Sequence, residues 1–222
     1  MTLVLALAAV AATAWCVLQR QPGADSSAAA QARRLRSPLV RLADLAGIQT
    51  ARGREADQWA AGAVGEKRTK ARIKPLTREG WTVLHDRALP VSSANVDHLL
   101  VSPAGVVIVL DSKKWAASDP LTVESGRLMH GNRDVTDRLN GLRRQTRTVA
   151  RTLGCPAIPL VSMEGPALVG GGLVLDGIRI IPADSILPVL RSIARRHRAV
   201  GEHPGARAAL LFPRKVNRRG PN

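Results

Sequence analysis

Aromatic side chains are scarce in this 222-residue chain, which has no tyrosine, one phenylalanine and four tryptophans. Proteins that hold single strands by stacking bases need several rings, and no such set is present, nor is a recognition-helix signature. The core must be built from aliphatic residues, with Trp59, Trp81 and Trp115 as bulky exceptions. Cysteine is equally rare. Only Cys16 and Cys155 occur, and Cys16 lies in an apolar segment, which excludes a disulfide framework or a cysteine zinc site. Acidic residues are outnumbered 17 to 33 by Lys and Arg, giving a net charge of +16. That excess favours a polyanionic partner, either nucleic acid or an anionic membrane surface. Arginine usage set by genome composition is the plain alternative. No Gly-x-Ser-x-Gly elbow occurs, which argues against a Ser-His-Asp hydrolase. Gly170-Gly171-Gly172 is not followed by Gly-Lys-Ser/Thr, so it reads as a flexible turn rather than a phosphate loop.

Charge is also missing from residues 2–18, and Arg20, Arg33, Arg34, Arg36 and Arg41 follow. A run of that length sits at the lower limit of about 17–25 residues for a membrane span. The basic flank implies a single-pass anchor with the C-terminal domain in the cytoplasm. A cleaved signal is the rival reading, but no basic residue precedes the run. Residues 19–52 read as a basic, alanine-rich linker, residues 53–190 as the folded domain, and residues 191–222 as a basic tail.

Within the domain, residues 53–74 read as a helix with Trp59, Ala63, Glu66 and Lys70 on one face and Pro75 as its stop. A strand from Trp81 and a hairpin follow. Further on come a short strand from Leu121, a second helix over Val135 to Leu153, a strand from Ala157, a strand or hairpin from Leu173, and a last helix from Ala183. The expected fold is α/β, with a small central mixed sheet flanked by helices.

The hairpin carries the most information. Ser102-Pro103-Ala104-Gly105 suits a type I turn closed by a left-handed glycine. Ser102 then faces Val106, and counting outwards sets Asp97 opposite Asp111. Opposed like charges on neighbouring strands are destabilising, so two carboxylates held there need a reason, and a divalent cation is the obvious one. Lys113 lies two residues past Asp111 and shares its face. His98 points to the other face, which makes it a packed residue rather than a ligand.

The ordered series resembles the restriction-endonuclease-like phosphodiesterases, whose core motif is an acid followed by (Asp/Glu)-x-Lys. More closely, it resembles the nuclease-related domain family. The matching pieces are Gly65-Glu66, Trp81 to Asp86, Val96-Asp97-His98, Pro103 to Val106 and Asp111-Ser112-Lys113, with Gln145 in the following helix. The resemblance implies that Asp97 and Asp111 bind Mg²⁺ or Mn²⁺, with Glu66 a further ligand directly or through water. It implies that Lys113 orients the attacking water or stabilises developing charge, and that Gln145 positions water or phosphate. Asp111 stands where glutamate is commoner, and Gly141 to Arg144 lacks the expected proline. The implied activity is metal-dependent hydrolysis of nucleic-acid phosphodiesters, with DNA the first candidate. Arg143, Arg144, Arg147 and Arg151 on the second helix are the candidate backbone contacts. A non-catalytic module binding nucleic acid or anionic lipid on the same fold is the alternative.

Overall fold

The computed structural model describes residues 32, 35–40, 50–90, 92, 94–199 and 201–215. The apolar segment 2–18 and most of the linker lie outside the described residues. Among the described residues no helix is long and apolar enough to cross a membrane.

The first helix, α1 (Ala51–Ile73), gives way at Pro75 to a 3-10 turn over Lys74–Glu79. Proline lacks the N–H that the α-helix would use next, and left-handed Gly80 closes the turn at φ 78°. Three strands follow: β1 (Thr82–Ala88), β2 (Asn95–Val101) and β3 (Val107–Lys114). A small separate ribbon comes next, comprising β4 (Leu121–Glu124), β5 (Arg127–His130) and β6 (Arg133–Asp134). The second helix was expected from Val135. Residues Thr136–Leu139 instead make a 3-10 turn, and α2 spans Asn140–Leu153, capped by left-handed Gly154. Strands β7 (Ala157–Glu164), β8 (Leu173–Leu175) and β9 (Ile178–Pro182) complete the main sheet, followed by α3 (Ile186–Arg196) and α4 (Gly205–Leu211).

The main sheet has the order β1-β2-β3-β7-β9-β8. Its β3–β7 and β7–β9 pairs are parallel and the others antiparallel, so it is mixed. Parallel pairing of β3 with β7 requires a crossover, and the ribbon and α2 supply it. Strand β3 is buried on both sides. Val107 and Val109 join one core with Leu99, Leu142, Val149 and Leu153, while Ile108 and Leu110 join another with Ile73, Leu76, Leu190 and Ile193. Such two-sided burial explains why the centre of the sheet reads as continuous apolar runs.

The hairpin register is the one the turn dictates. Val101 pairs with Val107 and His98 with Leu110, and Gly105 donates its N–H to the Ser102 carbonyl at 2.8 Å. Gly105 is constrained twice over: its φ is +78°, and a Cβ there would lie 2.8 Å from the Ala199 Cβ. The same count sets Asp97 against Asp111 one step further out.

Residues after Arg191 are not all tail. Helix α4 contributes Ala208 to the first core, and Phe212 is fully buried in it. Beyond it, Lys215 donates to the Asp86 carbonyl and Ala88 donates to the Pro213 carbonyl, at 2.8 and 2.9 Å. This segment covers the outer edge of β1, which would otherwise present unpaired backbone groups.

Candidate metal centre and nucleic-acid cleft

A cleft of about 920 Å³ opens where α1, the ends of β2 and β3, and the ribbon meet. Asp97, Asp111, Lys113 and Glu66 all line it. The hairpin register brings the first two together, and the two-residue repeat of β3 adds Lys113 to the same side. Glu66 arrives from α1, which packs closely enough that a Cβ on Gly65 would sit 3.2 Å from the Lys114 Cβ. The helix is pinned there by Glu164 at the end of β7. That carboxylate accepts from Arg68 and, at 3.1 Å, from Arg72, with the Lys114 ammonium 3.7 Å away. Burial pushes Glu164 up, but the hydrogen bonds from Arg72 and Arg68 outweigh it and hold its pKa below the usual value.

The electrostatics of the centre are those of excess negative charge. Asp97 has its pKa raised well above the ordinary carboxylate value, first by burial, then by the charge of Asp111, then by that of Glu66. The Ser112 N–H approaches its carboxylate at 3.4 Å. The Lys113 ammonium sits 2.7 Å from Asp111 Oδ2. Burial works against that ammonium, but Asp111 and then Asp97 more than compensate, so its pKa is raised and it stays charged.

Without a cation, desolvation and the like charge of its neighbours both disfavour ionisation of Asp97. Among the described residues no group of three or more His, Cys, Asp or Glu side chains is assembled closely enough to hold a metal ion. The donor set still suits a hard cation. Magnesium takes one or two protein carboxylates and fills its remaining positions with waters and substrate phosphate. Asp97 and Asp111 meet that requirement. Glu66 lines the same cleft, near enough for its charge to raise the pKa of Asp97.

The remaining site candidates fall differently. The Gln145 side chain does not line the cleft. Its Nε2 donates to the Asn95 carbonyl at 2.8 Å, and Asn95, two residues before Asp97, is part of the cleft wall. Gln145 is therefore placed to fix the start of β2. Arg143, Arg144, Arg147 and Arg151 are also outside the cleft. Arg143 is tied to Asp176 at 2.6 Å and to Asn140 at 3.1 Å, and Arg147 donates to the Arg143 carbonyl at 3.3 Å.

His98 is buried on the opposite side of the hairpin, as its position in the strand requires. His85 and His98 face each other through their Nδ1 atoms at 2.8 Å, and His98 Nε2 lies 3.1 Å from Ser112 Oγ. Burial holds their pKa values down to about 4 and about 3, with Lys70 adding to both. Both rings are neutral at pH 7, and they brace the strand that carries Asp111 and Lys113.

Sequence reasoning missed the opposite wall of the cleft, which includes Trp115, His130, Arg133 and Arg138. Their only signal was a basic pair, one in a two-residue strand too short to show a period and one in the turn after it.

Residues 61–164 match the family model for the nuclease-related domain. The matched span holds Glu66, Asp97, Asp111, Lys113 and Gln145, and it ends at the Glu164 that pins α1. No curated protein and no solved structure matches the chain.

Proposed function

We propose, from the match of residues 61–164 to the family model for the nuclease-related domain, that the cleft hydrolyses phosphodiester bonds of nucleic acid, DNA first, with Mg²⁺ or Mn²⁺ as cofactor. The observation that carries this reading is the Asp97–Asp111 pair, set in register with Lys113 beside it and Glu66 across from it in one cleft.

Asp97 and Asp111 would hold the cation, and Glu66 would orient a water on it. When bound, the cation lowers the pKa of a water and neutralises charge on phosphoryl oxygens. Lys113 has a different task. Its ammonium is fixed by Asp111 and remains protonated in a water-poor site, so it can donate to the phosphoryl oxygen as negative charge builds. Its partial burial makes that interaction stronger than it would be in open water. Gln145 and Ser112 hold the two strand ends in place, so the carboxylates need not be ordered anew at each turnover.

We further propose that residues 2–18 tether this domain to a membrane, on the strength of their lack of charge and the arginines that follow. Alkaline carbonate extraction of cell membranes should leave the full chain in the pellet and release a chain beginning at residue 50.

Cleavage of plasmid DNA by the purified protein tests the central reading. The wild type should cut in Mg²⁺ or Mn²⁺ and not in EDTA, and Asp111→Ala and Lys113→Ala should each abolish cutting. Cleavage that survives both substitutions contradicts the assignment. DNA binding by a wild type that never cuts would favour a binding module on the same fold.

A further inference from the structure

We infer that Arg133 and Arg138 form a second phosphate site, which grips the phosphate adjoining the one at the acidic centre and makes the small ribbon a clamp on the nucleic-acid strand. That the strand is nucleic acid rests on the function proposed above. The site itself rests on the geometry of the cleft wall.

Arg133 in β6 and Arg138 in the 3-10 turn after it line the same cleft as Asp97, Asp111 and Lys113. Both are exposed. Among the described residues neither is ion-paired. Arg68, Arg72, Arg127, Arg143 and Arg191 each face a carboxylate; among the described arginines without such a partner, Arg133 and Arg138 are the two that line this cleft. Arg138 and Lys113 line the same cleft. Arg133 and Arg138 make one wall of the cleft basic while Asp97, Asp111 and Glu66 make the other acidic, and a phosphate entering the cleft is met by the basic wall. The acidic half cannot draw the strand in, because Asp97, Asp111 and Glu66 repel phosphate until a cation neutralises them. Guanidinium groups suit the task, since their planar fork matches two phosphate oxygens at once.

The scaffold under these arginines is fixed. Thr136 donates its N–H to Asp134 and accepts at Oγ1 from the Leu128 N–H, both at 2.9 Å. Val135 donates to the Leu128 carbonyl at 2.9 Å and Arg138 to the Val135 carbonyl at 3.0 Å. The rings of Trp115 and His130, 5.7 Å apart, join the ribbon to the loop after β3. Lipid headgroups carry the same phosphate chemistry. The arginines, however, lie inside a cleft beside the acidic centre, which a threaded strand enters more readily than a flat bilayer surface.

Binding of a labelled DNA oligonucleotide by the full chain in EDTA, followed by fluorescence anisotropy across a salt series, tests the site. The double variant Arg133→Gln with Arg138→Gln should bind more weakly. Its slope of log affinity against log salt should fall by about 1.4–1.8, at about 0.7–0.9 for each lost phosphate contact. Arg78→Gln with Arg191→Gln removes the same charge outside the cleft and should leave the slope unchanged. Equal melting temperatures would confirm that both variants fold. An unchanged slope in the first variant, or an equal loss in the control, overturns the site. So does a first variant that loses binding to phosphatidylglycerol vesicles while keeping its grip on the oligonucleotide. The expected slope loss in a protein that never cuts DNA upholds the phosphate site and removes the nuclease reading. Cutting by the wild type with an unchanged slope in the variant removes the phosphate site alone.

Discussion

Asp97→Asn should stabilise the metal-free protein, although it removes a residue the proposed chemistry requires. In the folded chain the Asp97 pKa is raised by burial, by Asp111 and by Glu66, so folding favours its protonated form. As pH rises from the unfolded value of about 3.9 through the folded value, the folded state must give up a proton it holds more tightly than the unfolded chain does. Stability therefore falls across that window and stays reduced above it. Each unit of elevation corresponds to about 1.4 kcal/mol, or on the order of 3–5 °C in melting temperature for a chain of this size. Asparagine keeps an acceptor for the Ser112 N–H and adds an amide that can donate to Asp111, without the charge. In EDTA at pH 8 the variant should melt higher than the wild type, and the gap should close on acidification. Taking the difference between the two proteins cancels the opposing carboxylates, such as Glu164, whose pKa is lowered. Mn²⁺ should reverse the order. At a hundredfold excess over its dissociation constant it should stabilise the wild type by about 2.7 kcal/mol and the variant far less. A variant that melts lower than the wild type in EDTA, or gains as much from Mn²⁺, refutes the reasoning.

Lys113→Ala should lower kcat for DNA cleavage by about 10²–10³, enough to leave no visible cutting in the plasmid assay, and should lower the melting temperature because Asp111 and Asp97 lose the ammonium facing them; single-turnover cleavage and thermal denaturation measure the two. Gln145→Ala removes the donor to the Asn95 carbonyl and should cost about 1 kcal/mol of stability. Its kcat should fall with a nearly constant KM, as befits a positioning residue. Phe212→Ala should destabilise the fold by about 3–5 kcal/mol in urea titration, because Phe212 is fully buried; a loss below about 1 kcal/mol would show that the C-terminal segment does not pack as described. Gly105→Ala should cost at least about 1–2 kcal/mol for its left-handed backbone alone, before the contact with Ala199 is counted, and the same titration measures it.

The acidic centre was legible because its geometry is local. Ser102 to Gly105 specifies a turn, the turn sets the register, and the register faces Asp97 with Asp111 with no knowledge of the rest of the chain. The alternation of side chains then places Lys113 with them and His98 away from them. The mixed sheet was legible for a similar reason, since apolar runs bounded by turns and separated by helical patterns leave few arrangements. Gln145 is a different case. Whether it reaches the cleft or the Asn95 carbonyl depends on how α2 crosses β2, which no spacing encodes. The arginines of α2 read as free cations until Asp176, brought round by the β8–β9 turn, neutralises Arg143. Arg133 and Arg138 gain their position from a ribbon only a few residues long, and hydrophobic periodicity is blind to it. The fold after Arg191 hides behind a run of basic residues, because one phenylalanine and a seven-residue helix make too weak a pattern to outweigh the charge.

The most direct measurement is anomalous diffraction from crystals of the protein soaked in Mn²⁺. The expected result is a single strong peak between the carboxylates of Asp97 and Asp111, absent from Asp111→Ala crystals. Density elsewhere with none at that pair would contradict the metal centre, and with it the proposed hydrolysis.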